Sequence, residues 1–131
     1  MKKLLLFIFL FLPLQLFAPS EKMIMIPVSE GINYYDPLIK AIVQVESSGG
    51  KYLYNEKENA VGHFQIRQVR IDHFNRLTGS NHNLDDCYDY EFSRKVFLYF
   101  AQGKSYERAA RNWNGKWSLT GQYWERVKKL L

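Results

Sequence analysis

Three short clusters hold the residue types that do chemistry: Glu46-Ser47-Ser48-Gly49-Gly50, Gly62-His63-Phe64-Gln65-Ile66 and Asn112-Trp113-Asn114-Gly115. Glu46 is the candidate proton carrier. Ile39, Ile42 and Val43 precede it at three- and four-residue spacing, so on a helix they share its face and the carboxyl ends an apolar stripe. Burial against such neighbours disfavours the charged form and raises the pKa, which is what a general acid needs to keep its proton at the working pH. Gln65 and Asn114 add amides, Trp113 an indole with a single N–H donor, and Ser47 a hydroxyl. Each cluster also has a plain reading: a polar helix end at Glu46 and Ser47, core contacts from Phe64 and Ile66, and a helix terminus at Trp113 and Asn114.

These groups need elements to hold them. Asp36 before Pro37 predicts the start of the Glu46 helix, with an oxygen to cap free amides and a proline at the first helical position. Gly49 and Gly50 predict its end. Residues 51–62 are polar and turn-like, with Tyr52, Leu53 and Tyr54 as a short extended piece, which predicts a loop or small hairpin. Ile71, Phe74 and Leu77 predict a helix ending at Gly79, and Phe92, Val96, Tyr99 and Phe100 a longer one ending at Gly103. Ser105 is placed to cap a helix running through Ala109 and Ala110 to about Trp113, and Thr120 a last one with Tyr123, Val127, Leu130 and Leu131. The expected fold is mainly α, a single domain over residues 36–131 after an irregular lead-in over 21–35, with no internal repeat or low-complexity tract.

The first residues address the compartment. Lys2 and Lys3 give a basic start, an apolar run from Leu4 to Phe17 is broken only by Pro13 and Gln15, and the small residues Ala18 and Ser20 follow. This is the layout of a secretory signal peptide over residues 1–20, cut after Ser20. A bilayer span takes about 20 apolar residues, so a retained anchor is the less favoured alternative, and with no cysteine near the cut a lipoprotein is disfavoured. The 111 residues that remain are one domain's worth. Their charge falls from +5 to +3, with 16 basic and 13 acidic residues. That bias is too mild to argue for nucleic acid, and it suits a carboxylate-bearing polymer as well as it suits a solvated surface. Cys87 is the only cysteine, so no intrachain disulfide forms, and it reads as a bystander thiol. His63, His73 and His82 show no metal-ligand spacing.

Taken in order, the three clusters resemble the lytic transglycosylases of the soluble-lytic type, within the lysozyme-like superfamily, over roughly residues 36–130. In that family a helix ends in Glu-Ser, a glycine-led segment supplies a Gln-Ile pair about twenty residues on, and a late helix ends in an aromatic-Asn pair near a glycine. Tyr123, Trp124 and Val127 look like the closing helix of many members. The resemblance implies a small lysozyme-like helical domain acting on peptidoglycan, with a short loop or hairpin after the catalytic helix and without metal or organic cofactor. It implies Glu46 as the catalytic acid and then base, and Ser47, Gln65, Trp113, Asn114 and Tyr123 as substrate-binding residues. The product implied is a 1,6-anhydro sugar end, formed with help from the substrate's own N-acetyl group. It further implies an exported monomer, periplasmic or extracellular, that remodels wall locally, with an envelope-spanning secretion or conjugation machine as a partner and no nucleic acid.

Two positions depart from the family. Trp113 stands where tyrosine is usual, so an indole replaces a hydroxyl that would bond the catalytic carboxylate and can serve as a stacking wall instead. Placing Asn112 in the family's Asn position would put Arg111 in the aromatic slot, and the nearby Gly115 favours Trp113 and Asn114. His63 lies where an apolar residue is usual. Glu56 and Glu58 sit where some lysozyme-like enzymes keep a second acid, which leaves a hydrolase open, although Lys51 and Lys57 beside them fit a solvated charged loop. Asp85 and Asp86 read as helix-capping residues. Tyr52, Tyr54, Tyr123 and Trp124 suit either a sugar groove or the core. A catalytically silent glycan- or partner-binding domain is the remaining alternative.

Overall fold

The computed structural model describes residues 33–115 and 118–131. The expected signal peptide over 1–20, and the lead-in as far as residue 32, lie outside the described residues. Helix α1 spans Asp36–Ser47, and a three-stranded antiparallel sheet follows, with β1 Tyr54–Asn55, β2 Ala60–Val61 and β3 Ile66–Arg67 in that order. Then come α2 (Gln68–Thr78), a 3-10 turn over Leu84–Tyr88, α3 (Tyr90–Ala101), α4 (Tyr106–Asn114) and α5 (Thr120–Lys128). The described chain is therefore mainly α, and the expected hairpin is present with a third strand added.

The stripe on α1 is the centre of the core. Leu38, Ile39 and Ile42 are fully buried, and α1 packs on α4 and α5 while α3 packs on α4. Burying a side chain of this size contributes about 1.5–3 kcal/mol. Phe64, just before β3, stacks on Phe97 of α3 at 5.5 Å and meets Trp113 of α4 edge-on at 6.1 Å, joining sheet to helices.

The helix ends differ from expectation by single residues, each for a local reason. Asp36 is the first helical residue rather than the cap, because Tyr35 already has helical angles. Its carboxylate still reaches back to accept the Asn33 N–H at 2.8 Å, and it accepts Arg94 of α3 at 2.8 Å, which holds its pKa below the ordinary value. At the other end Ser48 takes the left-handed cap conformation (φ 53°), and Gly49 and Gly50 follow at φ 72° and 91°. The N–H of Ser48 then bonds Gln44 O, and that of Gly49 bonds Val43 O, both at 3.2 Å. Ser105 caps α4 as expected, by accepting the Arg108 N–H. Thr120 does not cap α5, since Leu119 holds that position with helical angles and no side-chain bond.

Some expected core residues lie outside. Leu77 is 54 % exposed: steps of three from Ile71 through Phe74 each fall about 60° short of a full turn, so the third residue has rotated off the face. Leu130 and Leu131 follow the end of α5 and are exposed. On α3 the buried stripe is Ser93, Val96, Phe97 and Ala101, with Tyr99 turned outward.

Gly62, which leads the second cluster, is a steric necessity. Its φ is +81°, and a Cβ there would lie 1.9 Å from the Cys87 carbonyl oxygen. No L side chain fits that close approach.

Candidate active site

Glu46 occupies the last turn of α1, one turn beyond Ile42 and Val43. Its Oε1 accepts the Tyr123 hydroxyl of α5 at 2.7 Å. Burial pushes its pKa up from 4.5 to about 7; the Tyr123 bond and the Arg126 charge pull it back, Glu58 adds a small push, and Arg67 a further pull. The carboxyl also stands at the negative end of the α1 dipole, with no basic residue in the last turn, which opposes ionisation too. Tyr123 is 2 % exposed, and burial, with Glu46 beside it, holds its hydroxyl protonated as the donor. The result is an acid that gives and takes a proton around neutrality.

Glu46 opens into a cleft of about 840 Å³, the size of a small-ligand site. Gln65, Trp113, Asn114 and Tyr123 line the same cleft, so the second and third clusters meet the first across it. Asn114 ends α4, and its Oδ1 is buried with no hydrogen-bond partner, an acceptor that suits a ligand donor. Gln65 has φ +49°, an unusual conformation for a residue with a side chain. Its amide nitrogen donates to Gly62 O at 2.9 Å and Tyr52 O at 3.2 Å, bracing the turn, so its carbonyl oxygen is the atom left to a ligand.

Of the expected contacts, Ser47 is corrected, while Trp113 lines the cleft with little of its ring. Ser47 is 1 % exposed and does not line the cleft. Its hydroxyl donates to the carbonyls of Val43 (3.0 Å) and His63 (2.8 Å) and accepts the Gly50 N–H (3.0 Å), locking the end of α1 to the turn that carries Gln65. A residue next to Glu46 on a helix points about 100° away from it, which places Ser47 inside when Glu46 faces the cleft. Trp113 reaches the cleft with only 7 % of its surface exposed. Its indole N–H donates to Phe64 O at 3.2 Å, and the Arg70 guanidinium lies 4.8 Å from its ring, so most of the ring is held in packing and only its edge meets the cleft.

The other candidates separate in the same way. His63 packs edge-on against Tyr90 at 5.0 Å, away from the cleft lining. Tyr52 and Tyr54 are exposed, Trp124 packs against the core, and none of the three lines the cleft. Glu58 does line it, held there by the Asn55 side chain accepting the N–H of Lys57 and Glu58, whereas Glu56 does not. Asp86 closes a capping box with Asn83. Burial pushes the Cys87 thiol up to about 12, so it is inert.

Sequence reasoning missed the cationic side of the cleft. Arg67, Arg70, His73 and Arg126 all line it. The signal for three of them was present, since Arg67, Arg70 and His73 recur every three residues along the start of α2. Comparison of the chain with known protein families, with curated proteins and with solved structures gives no match.

Proposed function

We propose that this chain is a peptidoglycan lytic transglycosylase of lysozyme-like fold, exported to act on the alternating N-acetylglucosamine and N-acetylmuramic acid strand as a monomer. One observation carries the reading: a single carboxyl poised near pH 7 by burial, bonded by Tyr123, and facing a cleft that also holds Gln65 and Asn114. Glu46 starts protonated and donates to the glycosidic oxygen as its bond to C1 of the N-acetylmuramic acid breaks. The substrate's N-acetyl oxygen supports C1. The Glu46 carboxylate then removes the C6 hydroxyl proton, and O6 closes on C1 to give the 1,6-anhydro end without consuming water. Tyr123 orients Oε1 in the first step and stabilises the carboxylate between the steps. The Asn114 Oδ1 suits the N–H of an acetamido group. Local wall opening for an envelope-spanning secretion or conjugation machine is the role such an enzyme fills.

A hydrolytic lysozyme is the second reading, and the position of Glu58 favours carrying it. It lines the same cleft and its charge is felt by Glu46, so among the described residues it is the candidate for the base that activates water. Mass spectrometry of digested cell-wall sacculi separates the two. Anhydro ends, unchanged in kind by Glu58→Gln, support the transglycosylase; reducing ends lost in Glu58→Gln support the lysozyme. Glu46→Gln should abolish either activity while the protein still sediments with sacculi. Intact strands with the unaltered protein would leave a silent binding domain.

A further inference from the structure

The cleft is lined by three guanidinium groups, Arg67, Arg70 and Arg126, against the two carboxyls Glu46 and Glu58. Among the described residues the ion pairs join Arg94 to Asp36, Arg111 to Glu107 and His82 to Asp86. They form a connected field. Arg126 and Arg67 each act on the Glu46 charge, and burial, with Arg67 adding to it, makes the positive form of Arg70 harder to hold.

Arg70 is fixed in place: its Nη2 donates to the carbonyls of Asn112 and Trp113, both at 3.0 Å, and its guanidinium lies 4.9 Å from the Phe100 ring. Arg126 lies over the Tyr123 ring at 5.5 Å, which sets it beside the catalytic pair. Three like charges gathered against two carboxyls raise the energy of the empty cleft, and an anion relieves it. The excess grows when Glu46 is protonated, because one of the two compensating carboxylates then vanishes. The form competent to donate its proton is thus the form most receptive to negative charge.

We infer that Arg67 and Arg126, backed by the fixed Arg70, form an anion subsite that selects glycan strands carrying acidic peptide stems and engages a stem carboxylate during cleavage. This rests on the transglycosylase reading and adds a substrate preference to it. Arginine suits the task because its planar fork matches a carboxylate.

The experiment compares two substrates prepared from the same sacculi, strands with intact stems and strands stripped of stems by an amidase. Binding is read with the Glu46→Gln protein and cleavage with the unaltered one. An exposed ion pair changes affinity by up to about fivefold, so stem-bearing strands should be favoured by about fivefold, in dissociation constant and in KM. The double variant Arg67→Gln/Arg126→Gln should treat both strands alike while melting within a few degrees of the parent, since neither side chain is buried. Those arginines also tune Glu46, but that effect falls on both substrates equally and cancels in the ratio. Raising salt from about 10 mM to about 150 mM, which shortens the Debye length from about 30 Å to about 8 Å, should shrink the preference in the parent without any substitution. A preference that survives the double variant or the salt, or a parent that treats the strands alike, overturns the anion subsite and leaves the transglycosylase standing. A protein that neither binds nor cuts either strand overturns both.

Discussion

Replacing Glu46 by Gln keeps the shape of the side chain and a bond acceptor for Tyr123 but removes the titration, so the variant isolates what the buried carboxyl costs the fold. The parent's Glu46 has a folded pKa of about 7 against an ordinary value of 4.5. Below 4.5 the group is protonated in both the folded and the unfolded chain and nothing is lost. Between 4.5 and about 7 the unfolded chain gives up its proton while the folded chain keeps it, so stability falls as pH rises; above about 7 both forms are ionised and the full penalty stands. At about 1.4 kcal/mol per pH unit, that gap is worth about 3 kcal/mol. Glu46→Gln should therefore match the parent near pH 4 and exceed it by about 3 kcal/mol at pH 8. In a domain of this size about 1 kcal/mol moves the melting midpoint by about 4–8 °C, so the difference at pH 8 is 10 °C or more by this order-of-magnitude reckoning. Thermal melts of both proteins at pH 4, 6 and 8 read it directly. A difference that stays flat with pH would refute the burial argument, whatever the variant does to activity.

Tyr123→Phe removes a bond that lowers the Glu46 pKa, so the descending limb of the pH–activity profile should move to higher pH. A bond to a charged group is worth about 1.5–3 kcal/mol, and wall clearing should fall by about tenfold or more; an unmoved limb would count against the pair. Ser47→Ala breaks the buried lock on His63 and Gly50, and should lower stability by about 1–2 kcal/mol in denaturant melts while leaving KM unchanged. A raised KM with unchanged stability would restore Ser47 as a substrate contact. Gly62→Ala drives a methyl group into the Cys87 carbonyl and should cost about 3 kcal/mol or more, read as a melting point lowered by more than 10 °C or as insoluble protein. A melt like the parent's would mean the turn can shift.

Local patterns in the sequence were enough for the helices, because each is written by its own spacing and punctuation: Gly79 ends α2, Ser105 starts α4, and Ile39, Ile42 and Val43 fall inside. Single-residue slips at Asp36 and Thr120 arose where a neighbour without capping chemistry, Tyr35 or Leu119, adopted helical angles first. In the site, Glu46, Gln65 and Asn114 were readable from their clusters, and the structure brings all three to one cleft. Tyr123 was readable as a groove or core residue, but its bond to Glu46 was not, since no local rule links positions on two helices so distant in the chain. Ser47 as a substrate contact failed for the opposite reason, and Trp113 reaches the cleft with little of its ring. Their clusters are real, but the side chains spend their polar atoms inside, on His63 O and Phe64 O. Arg126 could join Arg67 and Arg70 only through tertiary packing of α5 against α1.

The Glu46–Tyr123 bond closes a loop of 77 positions. Until α5 has docked, the Glu46 carboxyl lacks its Tyr123 partner and whatever burial α5 supplies. The environment of the buried carboxyl is thus completed by the last helix. On the transglycosylase reading, a nick between α4 and α5 that let the final helix leave would disarm the protein without touching a single atom of Glu46.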